Sequence, residues 1–304
     1  MDDPRIVILG AGAVGSLFGG LLAKSGLDVA LVGRPVHMKA IRNRGLRIEG
    51  LTRATVRPRA ATRAPEGDLV LLTVKSYDTA RTLRSVRLSR NGAVLTLQNG
   101  VGNAEKVAAR FGARRTLAGV TSCGALLAGP GRVVHTGRGP TVVGEWSKGA
   151  TVGAREVAAL FNSARIPTRV SRDIRAELWR KVAVNAAINP LTALTGLPNR
   201  AVAETRGLRD LAAAVVEEAE RVARARRISL GRDPLGRVLE VARRTGANRS
   251  SMLRDLERGR RTEIEAITGA LLREAERAGV EAPVNRLLYE LVRSLERKAD
   301  KRRS

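Results

Sequence analysis

Short apolar runs alternate with segments of helical spacing through the first third of the chain. Arg5-Ile6-Val7-Ile8-Leu9 is almost wholly apolar and closes on a glycine, which predicts a strand buried in a parallel sheet. From Gly12 to Lys24 the apolar positions recur at helical spacing until Gly26 stops them. Leu27–Val32, Asp68–Val74 (with Val70-Leu71-Leu72 at its centre) and Ala93–Leu97 predict three more strands, and Asp78–Leu88 a helix between the last two. Strands alternating with helices imply βαβ units. From Leu117 to Gly144 the pattern changes to β-rich pieces such as Arg132-Val133-Val134 and Thr141-Val142-Val143, separated by glycines. Beyond Pro167–Val170 helical spacing dominates, over 173–188, 207–227, 234–244, 263–278 and 284–299. The expected fold is α/β: an N-terminal Rossmann-type, doubly wound parallel sheet with a strand-rich extension over 1–170, then an all-helical domain over 171–304.

The first turn carries a specific chemistry. Gly10-Ala11-Gly12-Ala13-Val14-Gly15 is a GxGxxG motif between a strand and a helix, the context in which that motif binds a dinucleotide. Gly10 permits the tight turn, Gly12 lets main chain approach a pyrophosphate, and Gly15 lets helix and strand pack closely. The helix N-terminus adds free N–H groups and positive potential. NAD enzymes place an acid at the end of the second strand, against the ribose 2′-hydroxyl. This strand ends Leu31-Val32-Gly33-Arg34-Pro35, and an arginine there suits a 2′-phosphate, so the expected cofactor is NADP(H). Lys75, after Leu71-Leu72-Thr73-Val74, and Asn99, in Gln98-Asn99-Gly100-Val101-Gly102, follow later strand ends at the same sheet edge. Both also suit plain turn chemistry.

The second informative stretch runs from Ala176 to Thr192. Lys181, Asn185 and Asn189 are spaced i, i+4, i+8, on one face of a helix whose other residues are mostly small and apolar. An amine with two amides suits a ligand bearing a carbonyl and a carboxylate. The same residues also fit a snorkelling lysine with Asn189 capping the helix before Pro190. Lysine, unlike arginine, can release its proton in a desolvated site. Further on, Ser250 and Ser251 read by pattern as a helix N-cap, and Glu263 as a first-turn acid favoured by the helix dipole.

Composition narrows the function classes. The net charge is +26, with 47 arginines and 8 lysines. The arginines run from Arg5 to Arg303 without a dense block, and aromatic residues are 2%, too few to stack bases along a strand. A solvated basic surface is expected, with a nucleic-acid-binding protein as the rival class. One cysteine, Cys123, excludes an internal disulfide, and two distant histidines, His37 and His135, propose no metal cluster. No apolar run reaches the ~18 residues of a membrane span. The opening Met1-Asp2-Asp3-Pro4 does not read as a signal peptide, so cytoplasm is expected.

Together GAGAVG at 10–15, VKSYD at 74–78, QNGVG at 98–102, AELWRKVAVNAAINPLTAL at 176–194, NRSSMLRD at 248–255 and RRTEIEAITG at 260–269 resemble the signatures of the ketopantoate reductase family, in order and over nearly the whole chain. The resemblance implies NADPH-dependent reduction of 2-dehydropantoate in pantothenate and coenzyme A biosynthesis, in a cleft between a Rossmann and a helical domain. It implies Lys181 and Glu263 as catalytic residues, and Asn185, Asn189, Asn199 and Ser251 as substrate-binding residues. It implies Arg34, Lys75 and Asn99, with the 10–15 loop, as cofactor contacts. Family members often carry glutamine three residues after the lysine of the second loop, and here that residue is Asp78. A same-fold reductase of another branched 2-oxoacid is the near alternative. The expected partner is a small 2-oxoacid, with no specific nucleic acid and no membrane; a homodimer is an allowed assembly.

Overall fold

The computed structural model describes residues 4–147 and 153–301; the expectation for Met1–Asp3 lies outside the described residues. The chain divides into two compact units, Met1–Gln98 with Asn103–Ile174, and Asn99–Gly102 with Arg175–Ser304.

The first unit runs β1 (Ile6–Leu9), α1 (Ala13–Lys24), β2 (Val29–Val32), α2 (Pro35–Arg44), β3 (Leu46–Gly50), β4 (Ala54–Val56), β5 (Arg59–Ala61), β6 (Glu66–Leu72), α3 (Thr79–Leu83), β7 (Arg87–Thr96), α4 (Asn103–Phe111), β8 (Thr116–Thr121), β9 (Gly124–Gly129), β10 (Arg132–Gly137), β11 (Thr141–Glu145), α5 (Ala154–Ser163) and β12 (Thr168–Val170). Eight strands form one sheet in the order β12-β11-β8-β7-β6-β1-β2-β5. It is parallel except for the antiparallel β11–β8 pair. Both faces are covered, as a parallel sheet requires. Ile6, Ile8, Leu31, Leu69 and Leu71 pack into one core, and Val7, Leu9, Ala30, Val70, Leu72 and Val94 into another.

The strand-rich extension splits in two. β8, β11 and β12 widen the main sheet, while β9 and β10 join β3 and β4 in a second sheet, β4-β3-β10-β9. Helix α1 lies between the sheets. A Cβ at Gly19 would crowd Ile8 and Leu31, and one at Gly20 would meet Ile48 at 2.8 Å and Leu46 at 3.0 Å. The expected helix over 78–88 stops at Leu83, because Arg87 and Leu88 pair with Glu66 and Gly67 and are drawn into β7.

The second unit is helical: α6 (Ile174–Thr195), α7 (Ala201–Glu204), α8 (Arg206–Ala225), α9 (Pro234–Arg244), α10 (Ser251–Glu257), α11 (Thr268–Ala278) and α12 (Pro283–Lys301). Two expectations need correction. Helix α6 does not stop before Pro190 but carries it inside. An internal proline costs about 3 kcal/mol. Here Ile188, Leu191 and Ala193 are buried on either side of it, and the Thr192 hydroxyl donates to the Ile188 carbonyl at 2.9 Å, so packing holds the helix together. Helix α11 starts at Thr268, not 263; residues 263–267 turn beforehand, with the Ala266 and Ile267 amides on the Glu263 carbonyl at 3.0 and 3.1 Å.

Candidate active site

In the first unit the ends of β1, β2 and β6 carry the 10–15 loop, Arg34 and Lys75 along one sheet edge. Gly10 has φ +107°, a conformation glycine takes without strain. A Cβ there would lie 2.5 Å from the Val74 nitrogen, and one at Gly15 would strike the Gly10 carbonyl and come 2.5 Å from Thr73 Oγ1. Both glycines are therefore demanded by the chain itself. Gly12 is different: it is exposed, and a Cβ there would meet only the Gly10 carbonyl, at 3.9 Å. No neighbour demands that glycine, and the space over its main chain has room for a phosphate. Helix α1 opens at Gly12 without a capping side chain or an acid in its first turn, so its N–H groups and dipole suit an anion. Ala11 is buried, while Ala13 and Val14 are half-buried. These residues fit a dinucleotide.

Thr73, which the sequence reading passed over, locks this turn: its hydroxyl donates to the Gly10 carbonyl at 2.9 Å. Arg34 is exposed at the start of α2. Lys75 is half-buried and precedes a single 3-10 turn, Ser76–Asp78. The departure at Asp78 is neutralised by Arg81, 2.8 Å away. Gln98 is buried and structural, its amide donating to the Val74 carbonyl and to Thr79 Oγ1, each at 2.8 Å.

In the second unit Lys181, Asn185 and Asn189 share a face of α6. Lys181 and Asn185 are half-buried and Asn189 is buried. Desolvation pushes the Lys181 amine down to about 8, against the opposing pull of the Glu263 carboxylate. Glu263 is buried in the turn before α11, and Asn99 Nδ2 donates to its Oε2 at 3.2 Å. Thus Asn99, expected as a cofactor contact, belongs to the second unit and touches the acid. The arrangement is an amine that holds a proton at neutral pH and gives it up readily, beside a carboxylate held by an amide.

Ser250, not Ser251, caps α10: its Oγ accepts from the Leu253 amide at 3.1 Å and from Thr192 Oγ1 at 2.8 Å. That bond ties α10 to α6 one turn from Asn189. Ser251 is left exposed. Asn199 is anchored elsewhere, on Thr245 Oγ1 at 2.9 Å, with its buried Oδ1 lacking a hydrogen-bond partner among the described residues. Among the described residues no group of three or more His, Cys, Asp or Glu side chains forms a metal site.

Known proteins match this architecture end to end. The family model described as ketopantoate reductase PanE/ApbA covers residues 6–148, and its C-terminal counterpart covers 173–296. The 2-dehydropantoate 2-reductase of Pyrococcus abyssi is 41% identical over 295 residues, 96% of this chain and 98% of the relative. A solved PanE/ApbA family ketopantoate reductase from Ralstonia eutropha superposes with a TM-score of 0.89 at 35% identity, covering 97% of this chain and 99% of that one. D-mandelate dehydrogenase, solved with NADH and anilino(oxo)acetate, gives a TM-score of 0.90 at 26% identity, with coverage of 97% and 99%. Two family models in chain order, and a relative matched along nearly its whole length, leave one assignment: this chain belongs to the ketopantoate reductase family.

Proposed function

We propose that this chain reduces 2-dehydropantoate to D-pantoate with NADPH, a step toward pantothenate and coenzyme A, in the cytoplasm. The observation that carries this reading is Lys181, a half-buried amine pushed down to about 8 on an apolar helix and facing the charge of Glu263. The first unit, expected over 1–170, binds the dinucleotide through the 10–15 loop, Arg34 and Lys75. The second unit, expected over 171–304, holds the substrate. When bound, the dinucleotide supplies the hydride for the keto carbon. Lys181 donates a hydrogen bond to the keto oxygen, stabilises the negative charge growing there, and passes it a proton, so that hydride plus proton gives the alcohol. Asn185, Asn189, Asn199 and the Ser251 hydroxyl orient the carboxylate and hydroxyl of the substrate. Glu263, held by Asn99, sustains the charge on Lys181.

A second reading keeps the mechanism and changes the substrate. It is favoured by the likeness to D-mandelate dehydrogenase, whose bound analogue is an aryl-bearing oxo acid. NADPH and NADH oxidation with a panel of 2-oxoacids separates the two. The proposal expects the highest kcat/KM for 2-dehydropantoate with NADPH. A faster branched or aromatic 2-oxoacid establishes the second reading, and no turnover with any 2-oxoacid overturns both. Arg34→Ala should shrink the NADPH/NADH ratio of kcat/KM by about tenfold or more; an unchanged ratio removes Arg34 from the 2′-phosphate site. Binding to duplex DNA is expected to be sequence-blind and to collapse with salt. Many arginines are already engaged by acids, Arg221 with Glu217 at 2.8 Å and Arg244 with Glu240 at 3.3 Å among them.

A further inference from the structure

Strand β5 ends the main sheet on one side and runs parallel to β2, with Val32 opposite Ala61. The Gly33 amide donates to the Ala61 carbonyl at 3.3 Å, so the pairing holds to the strand ends. Arg34 stands two residues past Val32, and Arg63 stands two residues past Ala61; both are exposed. Paired strands lie about 4.8 Å apart, a spacing that two arginine side chains easily bridge to reach one anion.

The surroundings separate these two arginines from the many others. Nearby Arg59 is neutralised by Asp28 at 3.0 Å, and Arg42 donates to the Ala60 carbonyl at 3.0 Å. Arg34 and Arg63 form no ion pair among the described residues. No Asp or Glu occurs from Val29 to Ile48 or from Gly50 to Pro65, and the flanking acids are taken by other arginines, Asp28 by Arg59, Glu49 by Arg47 and Arg132, and Glu66 by Arg5. The end of β2, Val32-Gly33-Arg34-Pro35, likewise carries no acid for a ribose 2′-hydroxyl. A phosphate monoester carries a charge of about −1.5 to −2 near neutral pH. One guanidinium leaves much of that charge uncompensated, and a second answers it.

We propose that Arg63 is a specificity-determining residue that forms, with Arg34, a two-guanidinium clamp on the 2′-phosphate of NADP(H). The assignment rests on the NADPH reading above and adds a determinant from outside the β2 end. Arg63 acts on binding alone, and the dinucleotide without that phosphate gains nothing from it.

The test is the Kd of NADPH and of NADH, by fluorescence titration, for the wild type, Arg63→Ala, Arg63→Lys and the Arg34→Ala/Arg63→Ala double variant, with kcat measured alongside. Arg63→Ala should weaken NADPH about tenfold while leaving NADH within about twofold and kcat unchanged. Arg63→Lys should recover part of the loss, since it keeps the charge but not the fork. The double variant should bind the two cofactors with nearly equal affinity. A wild type that prefers NADPH and an Arg63→Ala variant that binds it equally well would overturn the clamp and leave the NADPH reading standing. Equal losses for NADPH and NADH would also overturn it, because they mark a structural role. A wild type that binds NADH as well as NADPH overturns the cofactor reading itself, and the clamp with it.

Discussion

Between Gly10 and Gly15 the groups offered to a ligand are main chain; along α6, from Lys181 to Asn189, they are side chains. The loop works by what is missing. Gly10 and Gly15 lack a Cβ because Val74, Thr73 and the Gly10 carbonyl already fill that space, and Gly12 lacks one where the protein itself leaves room. On α6 the chemistry depends on what surrounds a functional group. The same lysine on an exposed helix would keep its ordinary basicity; among Val182, Ala183 and Val184, all buried, it is pushed down to about 8. One site is written in residue size and the other in residue environment, so they should fail differently.

The widest difference is expected at Lys181. Lys181→Ala should lower kcat by about 10²–10⁴ with NADPH affinity and melting temperature near those of the wild type, and Lys181→Arg should not restore turnover. A stable, cofactor-binding Lys181→Ala enzyme with near-normal kcat would end the comparison, since the α6 stripe would then be structural. In the loop, Gly12→Ala and Gly15→Ala should part company. Gly15→Ala overpacks the turn and should destabilise the fold by about 1–3 kcal/mol, seen as a lower melting temperature. Gly12→Ala should melt like the wild type yet bind the dinucleotide about tenfold more weakly, the size of a modest clash. Equal melting temperatures for the two variants would contradict the steric distinction.

The pH profile should show the environment acting on Lys181. In the proposed mechanism reduction needs the protonated amine, so kcat/KM should be level below about pH 8 and fall about tenfold per unit above it. Glu263→Gln removes the charge that raises the amine and should move the break to lower pH, whereas a purely structural Glu263 would leave the break in place. The smallest effect concerns the support of the loop. His37 Nδ1 accepts from the Gly131 amide at 2.9 Å, which leaves the ring proton on Nε2, 3.0 Å from Ser16 Oγ, one residue beyond Gly15. Burial lowers the His37 pKa. With the folded value below the unfolded one, its contribution to stability is complete above about pH 6.5 and declines as pH falls, by at most about 1.4 kcal/mol per unit. Urea melts of wild type and His37→Gln between pH 7.5 and 5 should converge toward acid; parallel curves would show that His37 titrates normally.

Much of the fold was legible because its signals are local. Ile6–Leu9 and Val70–Leu72 are apolar enough to mark buried strands, and Gly10, Gly12 and Gly15 mark their turn by residue type alone. Lys181 was legible as an anomaly, a charge on an Ala- and Val-rich helix. Pro190 misled, because a local rule for ending helices yields to burial on both sides of it. Glu263 and Ser251 carried no local mark. The partner of Glu263, Asn99, lies 164 positions away, and Ser251 is distinguished only because its neighbour Ser250 takes the capping bond. The second sheet was hidden too, since β3 and β10 are parallel neighbours whose paired residues, such as Arg47 and Arg132, lie 85 positions apart.

The four residues Asn99–Gly102 have a consequence for how this enzyme can be taken apart. They leave the first unit, lend the second an amide for Glu263, place the Val101 amide on the Ala266 carbonyl at 3.1 Å, and set Gly100 where no Cβ fits against Ala266. The chain then returns to the first unit at Asn103. A fragment beginning at Arg175 would therefore lack part of its own interior, however well its helices formed. A chimera that exchanges halves between relatives at the 174/175 junction would pair an acid from one parent with an amide from the other. The second unit is thus discontinuous in sequence, and recombination that respects it must carry Asn99–Gly102 along with everything after Ile174.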